Sequence, residues 1–107
     1  MSEGHVMNNV DNIGNMESIL DNTKDLIKDT DKVLTKLEAN LSSYEKLSEY
    51  YYSDQRMKDL DDDEHGLLPA DLKRGVLDED SIWNMQEDYR EVALRLIETG
   101  TRMLRCK

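Results

Sequence analysis

From Ile13 onward the chain places apolar or near-apolar side chains at alternating steps of three and four. The row is Ile13, Met16, Leu20, Thr23, Ile27, Thr30, Leu34, Leu37, Leu41, Tyr44 and Tyr51, with Ser48 in the one polar slot. Ile19, Leu26, Val33 and Leu47 add a third column on a seven-residue spacing that skips only Asn40. A seam widened in this way suits a helix packed in a bundle more than a strict two-stranded zipper, and Thr23 and Thr30 weaken it further. The pattern predicts a first helix over residues 12–57. Ser42 and Glu45 fit a capping box that would break it, but the register from Leu34 through Leu37 and Leu41 to Tyr44 passes that point without a slip. The continuous helix is therefore expected. Residues 1–11 are polar and show no period, so they read as a mobile N-terminal arm.

A second periodic stretch carries Ile82, Met85, Tyr89, Val92, Ala93, Leu96, Ile97, Met103 and Leu104, with Trp83 beside it. Asp78 is a natural N-cap, Glu79 and Asp80 sit in the first turn, and Arg102, Arg105 and Lys107 lie at the end, all in the sense that the helix dipole favours. This predicts a second helix over residues 78–105. Between the two helices lies an acidic connector, residues 58–77, in which Pro69 and Gly75 bracket one short helical turn from Pro69 to Arg74. The expected fold is all-α, an antiparallel helical hairpin or a three-helix bundle, forming a single domain over residues 12–107. The second helix is shorter than the first, so an apolar stripe on the first would be left for a folded-back segment or a second copy of the chain. A homodimer is one expected state.

Composition sharpens this picture mainly by exclusion. Charged residues make up 36% of the 107, against about 25% in ordinary globular domains, which leaves side chains for a thin core only. The net charge is −10, and residues 1–65 alone hold 16 acids against 7 bases. Such a field repels nucleic acid and anionic membrane, which reward positive charge, and attracts basic protein surfaces. The lone Cys106 permits no disulfide within one chain. The first residues are neither basic nor followed by an apolar run, and no stretch approaches a membrane span, so a cytoplasmic protein is expected.

The run Asp59-Leu60-Asp61-Asp62-Asp63-Glu64 invites a calcium-loop reading. Starting at Asp61 places Gly66 correctly but puts Leu72 where a bidentate Glu is required; starting at Asp59 puts Glu64 where Gly is required. Neither frame works. His5 and His65 stand at no metal-ligand spacing from each other or from Cys106. No Ser–His or Cys–His pairing and no glycine-rich phosphate loop is present, and a thin helical scaffold offers no dry pocket for acid–base chemistry. No enzyme, cofactor or metal site is expected. If a working surface exists, it is placed on Asp61, Asp62, Asp63 and Glu64 with Arg74 and the outward member of Tyr50, Tyr51 and Tyr52. Three consecutive tyrosines cannot share one helix face, and the tyrosines with Trp83 suit either an aromatic anchor for the connector or a binding hot spot. Arg74 is expected to pair with Asp71 or Asp78.

Leu68-Pro69-Ala70-Asp71-Leu72-Lys73-Arg74-Gly75-Val76-Leu77-Asp78-Glu79-Asp80, followed by Glu87-Asp88-Tyr89-Arg90-Glu91-Val92-Ala93-Leu94-Arg95, resembles a family of small bacterial proteins grouped as a domain of unknown function. The resemblance spans residues 44–105; Asp78 replaces a Ser common in the family, and the first helix matches only as a generic heptad. It implies a bacterial, cytoplasmic, helical protein and brings no catalytic residue, cofactor or mechanism. The functional expectation is a non-catalytic protein acting through a protein partner. Its most concrete form is an acidic inhibitor that masks a basic nucleic-acid-binding surface, as phage anti-defence proteins do. The alternative is a structural or housekeeping helical module whose charge serves solubility.

Overall fold

Nothing interrupts the seam before Tyr51, and no proline stands in the first 68 residues. The computed structural model of the chain, which describes the backbone of residues 3–107 and the side chains of residues 7–107, accordingly shows one helix, α1, over Glu3–Tyr51. The register runs through Ser42 unbroken. The arm expected over residues 1–11 is corrected: residues 3–11 are helical, with Met7 and Val10 continuing the apolar row backward in steps of three, while Met1 and Ser2 lie outside the described residues. The weak slot at Thr23 is satisfied locally, its hydroxyl donating to the Ile19 carbonyl at 2.7 Å. The chain divides into two units, residues 1–45 and 46–107, where the sequence predicts a single domain over 12–107.

Within residues 46–107 the first helix stops six residues before its expected end. Ser53 adopts an extended backbone, accepts the Arg56 N–H through its hydroxyl oxygen and donates that hydroxyl to the Tyr50 carbonyl at 2.7 Å. One side chain thus serves an orphan carbonyl of α1 and an orphan amide of the next helix. That helix, α2, covers Asp54–Glu64, so the first part of what reads as connector, residues 58–64, is helical.

The end of α2 is set by Gly66, the one residue with positive φ (+67°) among those described. Leu67 N–H reaches the Asp62 carbonyl at 3.0 Å and Gly66 N–H that of Asp63 at 3.1 Å. These are the paired bonds of a Schellman cap, with Gly66 in the left-handed position. The sequence reading gave that role to Gly75, which has no positive φ and begins a 3₁₀ turn over Gly75–Leu77. The expected helical turn from Pro69 to Arg74 is a single turn, closed by Leu72 N–H to the Pro69 carbonyl at 3.2 Å.

The last helix, α3, covers Ser81–Arg105, with Asp80 as its cap residue in place of the expected Asp78. Asp78 is already committed: its N–H closes the 3₁₀ turn on Gly75, and its carboxylate accepts the Ser81 hydroxyl. Arg102 and Arg105 do occupy the last turn. The fold is all-α, with no strand among the described residues.

The core of this unit is small. Ile82, 3% exposed, is the one fully buried hydrophobic residue among those described, beside the open groove formed by Leu47, Val76 and Met85. The 3₁₀ turn touches both α2 and α3, and Gln86 Nε2 donates to Ser48 Oγ at 3.2 Å, linking α3 to the end of α1. Burying one isoleucine contributes about 1.5–3 kcal/mol, so polar ties must share in fixing the connector.

Candidate functional site

Two arginines supply those ties. Arg56, in the first turn of α2, sends Nε to the Val76 carbonyl at 3.1 Å and Nη2 to that of Asp78 at 3.5 Å. Its Cζ lies 4.7 Å from the centre of the Tyr51 ring. Arg74 reaches back from the connector to the other end of α2: Nη1 donates to Asp63 Oδ1 at 2.5 Å, Nη2 to the Pro69 carbonyl at 2.6 Å, and Nε to that of Leu72 at 3.4 Å. The planar fork of arginine can serve several acceptors at once, which a lysine cannot do with the same geometry. The expected pairing of Arg74 with Asp71 or Asp78 is therefore corrected to Asp63. Arg56 was missed by the sequence reading. One signal pointed to it: Arg56 and Arg74 are the only arginines before Arg90, every other base in that stretch being lysine.

The three tyrosines divide their work. Tyr50 donates its hydroxyl to Asp59 Oδ2 at 2.6 Å, and Gln55 Nε2 holds the other carboxylate oxygen at 2.8 Å. Desolvation first, then the hydrogen bond and charge of Asp59, push the Tyr50 phenol up to about 12 against the opposing pull of Arg56. The hydrogen bonds from Tyr50 and then Gln55 hold Asp59 below its ordinary value. Tyr51 packs edge to face with Tyr52, ring centres 4.9 Å apart. Tyr52 is the outward member, 76% exposed.

Asp61, Asp62, Asp63 and Glu64 form the last turn of α2, where the carbonyl end of the dipole is already negative and no base of the helix's own offsets it. Arg74 supplies the countercharge, through Asp63 alone. Asp61 approaches only His65, Oδ1 to Nδ1 at 3.6 Å, and the same ring nitrogen lies 2.7 Å from the Asp61 carbonyl. Among the described residues no lysine or arginine stands within ion-pair distance of Asp61, Asp62 or Glu64. Asp61 and Glu64, three residues apart, are exposed on one side of the helix. Of the expected residues, then, Asp63, Arg74, Tyr50 and Tyr51 hold the connector and its flanks in place, while Asp61, Asp62, Glu64 and Tyr52 remain available.

Among the described residues, no three His, Cys, Asp or Glu side chains gather as a metal site, and no helix is long and apolar enough to cross a membrane. No curated protein and no solved structure matches the chain. A family model does match, over residues 13–99, so it takes in most of the first helix, the connector and most of α3. The chain belongs to the DUF4298 family, a domain of unknown function.

Proposed function

We propose that the protein is a non-catalytic interaction module that presents the C-terminal turn of α2 to a basic surface on a protein partner. The observation that supports this most is the concentration of carboxylates without a lysine or arginine partner, Asp61, Asp62 and Glu64, at the negative end of a helix whose position is fixed by Arg56 and Arg74. A fixed array of like charge is costly to hold unless something relieves it. A surface rich in lysine and arginine would do so, and would be steered to the site from a distance. Masking a nucleic-acid-binding surface is the most concrete version, because such surfaces carry dense positive charge.

The test is capture of partners from bacterial lysate by the parent and by a variant with Asp61→Asn, Asp62→Asn and Glu64→Gln. Asp63 is left in place because its loss would release Arg74. The parent should retain basic nucleic-acid-binding proteins that elute as salt rises, and the variant should lose them while keeping its helicity. Equal retention by both would refute the proposal and favour charge that serves solubility.

A second reading concerns α1. Its seam residues Ile13, Met16, Leu20, Ile27 and Leu34 are 36–60% exposed, an apolar row in a register that a second copy of the same helix can match. Self-association through this row is our reading of that exposure. Sedimentation equilibrium at micromolar concentration should give twice the 12.5 kDa chain mass; a monomer would refute it.

A further inference from the structure

Tyr51, Glu79, Asp80 and Trp83 line an open slot of about 370 Å³ between the end of α1 and the start of α3. The function proposed above uses none of its carboxylates and neither of its rings. Trp83 is the only tryptophan in the chain and stays 54% exposed, so it closes no core. Glu79 and Asp80 lie in the turn that leads into α3, Asp80 being its cap residue three positions before Trp83.

The charge in the slot decides what can enter. Glu79 and Asp80 bring two negative charges, and the N-terminus of α3 returns roughly half of one positive charge. Arg56 adds one positive charge nearby, its guanidinium held by the Val76 and Asp78 carbonyls, which leaves the two carboxylates in excess. The balance is negative, so an anion is repelled and a cation drawn in. The walls choose the kind of cation. A hard metal ion needs six or more converging oxygens, and half of this lining is aromatic. A planar organic cation stacks on indole and phenol faces while its N–H groups reach the carboxylates. The Tyr51 ring already makes such a contact with Arg56 at 4.7 Å.

We infer that the slot receives an arginine side chain from a protein partner, its guanidinium laid against Trp83 and paired with Glu79 and Asp80. The inference rests on the reading of the protein as an acidic interaction module and gives it an anchor. The carboxylates of α2 steer any basic surface, whereas a tryptophan–arginine contact in a cleft is the kind that dominates an interface.

The test titrates N-acetyl-arginine amide into the full chain, with the neutral isostere N-acetyl-citrulline amide as control. The indole N–H resonance and fluorescence of Trp83 report on this slot alone, because there is no other tryptophan. The arginine derivative should produce a saturable shift at millimolar concentration and the citrulline derivative none. The Glu79→Gln, Asp80→Asn double variant should bind about three- to tenfold more weakly, and N-acetyl-lysine amide less well than arginine. Both substituted side chains are exposed, so the circular dichroism of the variant should match the parent's. Equal shifts with citrulline, no saturation with arginine, an unchanged double variant, or lysine binding as tightly as arginine would each overturn the assignment. Because the probe is a single amino-acid derivative, its failure leaves partner capture through α2 standing. If that capture fails while arginine still saturates the slot, the interaction-module reading falls and the slot's preference for arginine stands as a separate result.

Discussion

Gly66 and Gly75 offer a direct measurement of what holds the connector. Gly66 sits at φ +67° and closes α2 through the bonds from Leu67 to Asp62 and from Gly66 to Asp63. Gly75 lies in the 3₁₀ turn without positive φ, and a Cβ built on either residue would meet nothing within 4 Å. Sterics with neighbours therefore drop out of the comparison, leaving backbone conformation. Replacing either glycine by alanine restricts the unfolded chain equally, a gain of about 0.4–1 kcal/mol where the folded backbone tolerates it. Only Gly66→Ala must also hold a side chain in the left-handed region, which costs about 1–2 kcal/mol. The unfolded-state contribution cancels between the variants, so Gly66→Ala should be less stable than Gly75→Ala by about 1–2 kcal/mol. For a unit of this size that is a difference on the order of 8–15 °C in melting midpoint. Trp83 fluorescence during thermal or urea unfolding is the assay, because it reads this unit and not the long helix before it. Gly75→Ala should sit at or slightly above the parent. Coincident midpoints, or Gly75→Ala the weaker of the two, would refute the assignment of the cap to Gly66.

Arg74→Leu removes the Asp63 pair and the bond to the Pro69 carbonyl, both partly open to water, and should cost about 1–2 kcal/mol by urea unfolding; Arg74→Lys should recover less than half, since one ammonium cannot serve all three acceptors. Ile82→Ala empties the one fully buried position and should cost about 2–3 kcal/mol on the same measurement. Tyr50→Phe should remove the alkaline limb of the pH dependence and weaken the acid limb, where Gln55 still holds Asp59. Asp59, held low by Tyr50, contributes stability that is present above the ordinary carboxylate range and lost as pH falls through its lowered folded value. Tyr50, raised from 10.0 to about 12, contributes stability that is present below pH 10 and lost as pH rises toward 12. The gap between parent and Tyr50→Phe in denaturant midpoint should therefore be widest between these limits and close at both ends, and a pH-independent gap would show that the hydrogen bond is not its source.

The heptad row from Ile13 to Tyr51 was sufficient to establish an all-α chain with a long first helix, because a periodic pattern sums many weak local preferences and tolerates exceptions such as Thr23 and Ser48. The row even marked its own end: no apolar residue continues it past Tyr51, although the predicted helix was carried to Met57. The acidic character of α2 and the apolar face of α3 were equally open to reading. What the sequence left undecided was which of several similar residues takes each singular role. The unbroken register set Ser42 aside as a cap, but nothing in the sequence singled out Ser53, where the chain turns and leaves the Tyr50 carbonyl and the Arg56 amide for the hydroxyl to satisfy. Gly66 and Gly75 could each end a helix, and the difference lies in φ, which depends on where α2 stops. Arg74 had acids within a few residues on either side, yet its long side chain reaches Asp63, eleven positions back. Periodicity is a property of neighbours along the chain; caps and arginine partners depend on which groups remain unpaired once the segments have met, and only the tertiary structure decides that.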